Sequence, residues 1–260
     1  MPLITARAPE GWEELEELVA AILTECGMLA KRQVTLDLPR GNVDVDVLAE
    51  ERVDGIVHRT ICECKFWKAN VPKEIVHAFR TVMQETGANR GYIISRAGFQ
   101  SGAYDAAQAT NIELVTFAEF QERYFDKWYR NRVWAVERNI GNFNTYYEPL
   151  GPPGWAKLES EDERKAYEAV LDKYLFAGMA LMPFSPYMGM LGTYRAPPLP
   201  FNFTQIEERG VGVPADVKAA GGYREFLSLL EEYARRGLPE LRAANPVTCG
   251  KSADELDEYE

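Results

Sequence analysis

Val43-Asp44-Val45-Asp46-Val47 and Ile61-Cys62-Glu63-Cys64-Lys65 are the two stretches on which the reading of this chain turns. Both alternate polar and apolar residues at the period of a β-strand, in which side chains two apart lie on one face. Glu63 and Lys65 therefore point together while Cys62 and Cys64 face the other layer, and Asp44 and Asp46 likewise share a side. If the two strands are neighbours, a carboxylate from each converges with one lysine. Such residues on alternate positions are, in most sheets, simply the solvated side of a half-buried strand, so the surroundings must decide.

Working outward, residues 11–27 have the spacing of an amphipathic helix ended by Gly27, with Leu15, Leu18, Val19, Ile22, Leu23 and Cys26 on one face and with Glu14 and Glu16 flanking that stripe. Short strands follow at 33–38, 43–49 and 56–65, separated by Pro39-Arg40-Gly41-Asn42 and by Asp54-Gly55, the pattern of an antiparallel meander. A helix at 72–87, an apolar strand at 91–95, a helix at 100–109 and a strand at 112–116 complete the order α-β-β-β-α-β-α-β. That order predicts an α/β fold, a mixed sheet flanked by helices. An aromatic-rich helix spans about 117–139, Glu148 to Gly154 is the best linker, and further helices fall near 160–176 and 222–236. The expected organisation is a first domain at 1–120, a connecting helix at 121–147, a mainly helical or irregular C-terminal region at 148–251 and an acidic tail at 252–260.

Composition places the chain among ordinary globular proteins, since a 46% hydrophobic and 27% charged make-up over 260 residues can bury a full core. Four scattered cysteines, Cys26, Cys62, Cys64 and Cys249, exclude a disulfide scaffold, and no Cys or His pair completes a zinc set. The start lacks a basic, apolar signal segment, so the protein is expected in the reducing cytoplasm. The stretch between Lys173 and Arg195 has no charge and is long enough for a bilayer, but its prolines, glycines and tyrosines fit a packed segment or an oligomer interface better than a membrane span. The net charge of -11 opposes general affinity for nucleic acid; residues 1–120 alone carry 12 basic and 18 acidic side chains. Binding a polyanion then requires a local basic patch, a metal or a partner.

Two carboxylates and an ammonium at one point suit phosphodiester hydrolysis. The carboxylates supply hard oxygen ligands for Mg²⁺ or Mn²⁺, the cation neutralises phosphate charge and acidifies a water, and the amine orients or deprotonates the attacking water. The segments LEELVAAIL, RGNVDVDVLAE, ICECKFWK, VPKEIVHAFRTVM, RGYIISRAGFQSGAYDAA and NIELVTF, read in order from Leu15 to Thr116, resemble the catalytic domain of the Mrr-like restriction endonucleases, a branch of the PD-(D/E)XK nucleases. The resemblance implies a metal-dependent endonuclease acting on DNA in restriction or antiviral defence. It places the metal-binding aspartate on Asp46, with Asp44 as a possible substitute, the second ligand on Glu63 with the Cys64 main-chain carbonyl, the lysine on Lys65 and the helix glutamate on Glu16. Many Mrr-like members carry Gln at the position of Glu63. Trp67, Lys68, Gln84 and Arg40 are candidates for nucleic-acid contact, whereas the lone His58 and His77 read as core or surface residues. A homodimer, or a protein partner docking on the C-terminal region, is expected because two-strand cutting needs two sites. The alternatives are a binding or scaffold subunit that keeps the fold without cleaving, and a repair or junction nuclease.

Overall fold

The structure, a computed structural model, describes residues 3–38, 41–191 and 195–249. The chain divides into two compact units, the first made of Arg7–Asn131 with Leu3, the second of the chain from Arg132 onward with Ile4–Ala6. The division falls between Asn131 and Arg132, inside a helix. Arg40 and the acidic tail lie outside the described residues.

The first unit opens with α1 (Trp12–Glu25), whose Leu15, Val19, Ile22 and Leu23 are buried at helical spacing. Three strands follow, β1 (Leu29–Leu38), β2 (Gly41–Val53) and β3 (Ile56–Lys65), joined as an antiparallel meander through the tight turn at Asp54-Gly55. Then come α2 (Lys73–Thr86), β4 (Arg90–Ser95), α3 (Ser101–Ala107), β5 (Ile112–Thr116) and the long α4 (Phe117–Ile140). α2 ends where Gly87 takes a left-handed conformation at φ 64°, a geometry that costs glycine little. β4 and β5 run parallel to β3, giving a mixed five-stranded sheet in the order β1-β2-β3-β4-β5.

Both faces of this sheet are covered. Ile61 and Ile93 pack with Val76, Phe79 and Met83 of α2 and Ala103 of α3, and Gly91 lets the α2 side chains approach closely, since a Cβ there would sit 2.6 Å from a Phe79 ring carbon. On the other face Tyr92 meets Phe120 and Tyr124 of α4, with ring centroids 5.4 and 5.7 Å away. α4 is tied to α1 there: the buried Trp128 indole donates to Glu25, and the Cys26 thiol donates to the Tyr124 carbonyl.

The second unit is helical. It contains α5 (Glu161–Leu181), two short helices, α6 (Thr204–Glu207) and α7 (Ala215–Ala219), and α8 (Tyr223–Ala244), together with several 3-10 turns. α5 starts on a reciprocal cap in which the Ser160 hydroxyl accepts from the Glu163 N–H at 3.2 Å and the Glu163 carboxylate accepts from the Ser160 N–H at 2.9 Å. α5 and α8 meet where Gly237 lies flat against the Tyr174 ring. The uncharged stretch is divided between the buried end of α5 and 3-10 turns at Met182–Phe184 and Pro186–Leu191, and no described helix is long and apolar enough to cross a membrane.

Candidate active site

The site forms where β2 and β3 part. Their last registered pair is Val47↔Cys62, and beyond it the Cys64 N–H donates to the Asp46 carboxylate at 2.7 Å instead of to a strand carbonyl. The alternation on β2 slips at the same place. Val43 and Val45 pack with the α2–α3 core cluster and so does Leu48, three positions on from Val45. On the β1 side, the register passes from Arg32↔Val47 to Val34↔Val45 and skips Gln33, which holds φ 50° in the left-handed region. The register is the same on both sides, so Gln33 and Asp46 are left unpaired opposite one another, and the Asp46 side chain is free to accept from the Cys64 N–H at the end of β3.

Glu63 and Lys65 share a face of β3, as period-two alternation requires, and the Lys65 ammonium is hydrogen-bonded to the Glu63 carboxylate. Both are largely enclosed. Burial pushes the Glu63 carboxyl above its ordinary range, and the charge of Asp46 pushes it further; Lys65 opposes both, and Glu16 adds a smaller upward push. Glu16 itself is only 2% exposed on α1. Its carboxyl is raised first by burial, then by Asp46, and is held against this by the Gln33 amide, which donates at 2.7 Å, and by Arg32 at 3.5 Å. The charge of Asp46 on β2 thus acts on both Glu16 of α1 and Glu63 of β3, and Lys65 is the cation bonded to Glu63. Burial raises the thiols of Cys62 and Cys64, which turn away from this point and stay protonated.

Asp44 is placed differently. It is exposed and accepts from the Thr35 hydroxyl at 2.6 Å across the β1–β2 ladder. Trp67 is 42% exposed just past β3, with its ring centroid 5.4 Å from the Lys65 ammonium, and Lys68 beside it is exposed. Gln84 is not brought to the site. It lines a surface hollow with Arg80, Gly87 and Asn111 near the start of β4, whereas Lys65 is level with Ser95 at that strand's end. Five strand residues separate the two levels, roughly 16 Å at the rise of an extended chain. Gln33 is the residue that the strand pattern leaves unmarked: a glutamine on an edge strand carries no signal until its conformation and its bond to Glu16 are seen.

Among the described residues no three His, Cys, Asp or Glu side chains are gathered closely enough to form a ready cage for a metal ion. The donor set nevertheless fits a hard divalent cation. It offers carboxylate oxygens with no imidazole or thiolate, and two of those carboxylates are destabilised by burial and by Asp46 in a way that added positive charge relieves. An Mg²⁺-type ion keeps several water or phosphate ligands and needs few from the protein.

Residues 9–124 match the sequence model of a family described as restriction endonuclease. Among solved structures the chain is similar to AF1548, a protein of unknown function, at 16% identity and TM-score 0.35 over 92% of this chain and 99% of that one. It is similar also to the DNA modification-dependent restriction endonuclease AspBHI, at 15% identity and TM-score 0.30 over 45% of this chain and 37% of that one. No curated protein matches the chain significantly.

Proposed function

We propose, from the match of residues 9–124 to the restriction endonuclease family, that the chain carries an Mrr-type nuclease domain and is a divalent-metal-dependent endodeoxyribonuclease acting in restriction or antiviral defence. What supports this reading is the Glu63–Lys65 pair beside the point where two strands part, together with Asp46, which bonds the Cys64 N–H there and whose charge acts on both Glu63 and Glu16. Asp46, Glu63 and the Cys64 carbonyl would hold Mg²⁺ or Mn²⁺, and the bound ion would supply neutralising charge at the phosphate and a more acidic water.

The chain's own residues do the rest. Lys65 would orient the attacking water through its ammonium, or, as the neutral amine after giving up a proton to solvent, would take up the proton that the water loses. Glu16, held by Gln33 and Arg32, adds negative charge behind Asp46 and strengthens the attraction of the site for a divalent ion. The second unit is proposed to recognise a trigger, to pair two copies, or to dock a partner.

Incubation of the purified protein with supercoiled plasmid tests the reading. Cleavage in Mg²⁺ or Mn²⁺, lost in EDTA and in Lys65→Ala, is expected. Duplex binding with no cleavage in either metal would instead mark a scaffold subunit, and cleavage confined to branched duplexes would mark a junction nuclease.

A further inference from the structure

The loops that follow β3 and β4 differ in charge from the rest of the first unit. Residues 64–73, CKFWKANVPK, contain three lysines and no carboxylate, and residues 95–104, SRAGFQSGAY, contain Arg96 and no carboxylate. The fold makes one surface of them. The Arg96 N–H donates to the Lys65 carbonyl at 3.0 Å, the Val71 N–H to Gly98 at 2.9 Å, the Gln100 N–H to Val71 at 3.0 Å and the Asn70 side chain to Phe99 at 3.2 Å. Buried Val71 and Phe99 anchor the two loops from below. This shared rim begins at Lys65 and therefore borders the candidate site.

Its cations also differ from six others in the unit, although Lys31, Arg52, Arg80 and Arg130, which lie outside these two loops, likewise have no carboxylate partner among the described residues. Arg7, Arg32, Arg59, Arg90, Arg123 and Lys127 each form an ion pair with a glutamate. Lys68, Lys73 and Arg96 are exposed, and among the described residues none of them has a carboxylate partner. Arg96 instead lies 4.6 Å over the Phe66 ring, and the stem of Lys73 runs beside Gly102, where a Cβ would be 3.6 Å from its Cδ. Trp67 presents an exposed aromatic face among them.

We infer that the joined β3–α2 and β4–α3 loops form the docking surface for the nucleic-acid backbone flanking the scissile phosphate, with Lys68, Lys73 and Arg96 contacting phosphates and Trp67 covering a sugar or base. The inference rests on the nuclease reading for the position of the scissile bond, and it explains how a chain of net charge -11 can hold a polyanion. Positive charge is scarce overall but is left uncompensated beside the site. Each phosphate contact releases counterions and contributes about 0.9 to the slope of log affinity against log salt. Three contacts therefore predict a slope of roughly 2.7, or about 40-fold in affinity between 50 and 200 mM salt.

The test measures binding of a fluorescent 30-base-pair duplex by the full-length protein carrying Asp46→Asn, from 50 to 200 mM KCl. Adding Lys68→Ala, Lys73→Ala and Arg96→Ala should lower the slope by about two to three units. Lys68→Arg, Lys73→Arg and Arg96→Lys should restore it, and Lys31→Ala with Arg80→Ala should leave it unchanged. An unchanged slope in the triple alanine variant, an equal loss in the Lys31/Arg80 variant, or no salt-dependent binding by the Asp46→Asn protein overturns the inference. Plasmid cleavage separates the two readings. Metal-dependent cutting together with an unaltered slope discards this surface and keeps the nuclease, whereas a collapsed slope without any cutting keeps the surface and discards the nuclease.

Discussion

Replacing Asp46 by Asn should abolish cleavage and at the same time make the metal-free protein more stable. Asn keeps an oxygen to accept from the Cys64 N–H but removes the charge that raises both Glu63 and Glu16. Like charges that perturb one another inside a partly buried site repel by on the order of 1 kcal/mol at an effective dielectric of 20, so two such repulsions leave about 1–2 kcal/mol to be gained. For a unit of this size that raises the melting temperature by roughly 3–8 °C. The pH dependence has a fixed sign. The carboxyls of Glu16 and Glu63 are raised above the ordinary value of 4.5, so their contribution to stability is fully present below that value and is lost as pH climbs through their folded values. The advantage of Asp46→Asn is thus expected at pH 7.5 in EDTA and should vanish near pH 4, where the carboxyls are protonated in both proteins. Mg²⁺ at a hundred times its dissociation constant should stabilise the wild type by about 2.7 kcal/mol and the variant far less. Thermal melts followed by circular dichroism read all of these. A variant no more stable than wild type at pH 7.5 in EDTA, or one stabilised equally by Mg²⁺, refutes the account of a carboxylate cluster held ready for a cation.

Other substitutions separate individual roles. Asp44→Ala should leave plasmid cleavage within about 3-fold, while Asp46→Ala should lower it by at least about 10³-fold; the reverse ranking would transfer the ligand role to the exposed residue. Gln33→Gly, which keeps the left-handed backbone but deletes the donor to Glu16, should cost about 10-fold in cleavage and weaken Mn²⁺ binding measured calorimetrically, as loss of a supporting hydrogen bond does. Its melting temperature should stay near that of wild type, whereas Gln33→Ala should lose about 1 kcal/mol more because alanine resists that φ. Gly91→Ala should destabilise the first unit by about 2–3 kcal/mol in urea unfolding through overpacking, since its Cβ would lie 2.7 Å from the Met83 sulfur.

The element order of the first unit was legible because each segment carries its own period: α1 and α2 show helical stripes, and β3 and β4 show strand patterns bounded by turn residues. β1 and β2 extend past the expected ends, to Leu29 and Val53, because ladder pairing continues through polar residues that give no hydrophobic signal. The pairing of Glu63 with Lys65 followed from alternation alone. Strict alternation gave no means of ranking Asp44 against Asp46, because the slip around Asp46 and the left-handed Gln33 arise from the pairing of three strands. Gln84 looked eligible by its nearness in sequence to the motif, yet α2 carries it toward the far end of the parallel strands. Glu16 was expected at the margin of the apolar stripe of α1, and it is buried with that stripe.

The division of the chain within α4 has a practical outcome for dissecting it. Trp128 is fully enclosed and bonded to Glu25, and the Asn131 side chain donates to the Cys26 carbonyl at 3.3 Å, so the last turns of α4 before Arg132 brace the end of α1. α1 in turn carries Glu16. A fragment stopped at 120 or 124, where the strands and the matched family region finish, would strip this brace and leave a helix end frayed beneath the candidate site. The shortest self-sufficient piece should therefore run to Asn131 or beyond, and shorter ones should come out of expression insoluble or idle even though every motif residue is still in place.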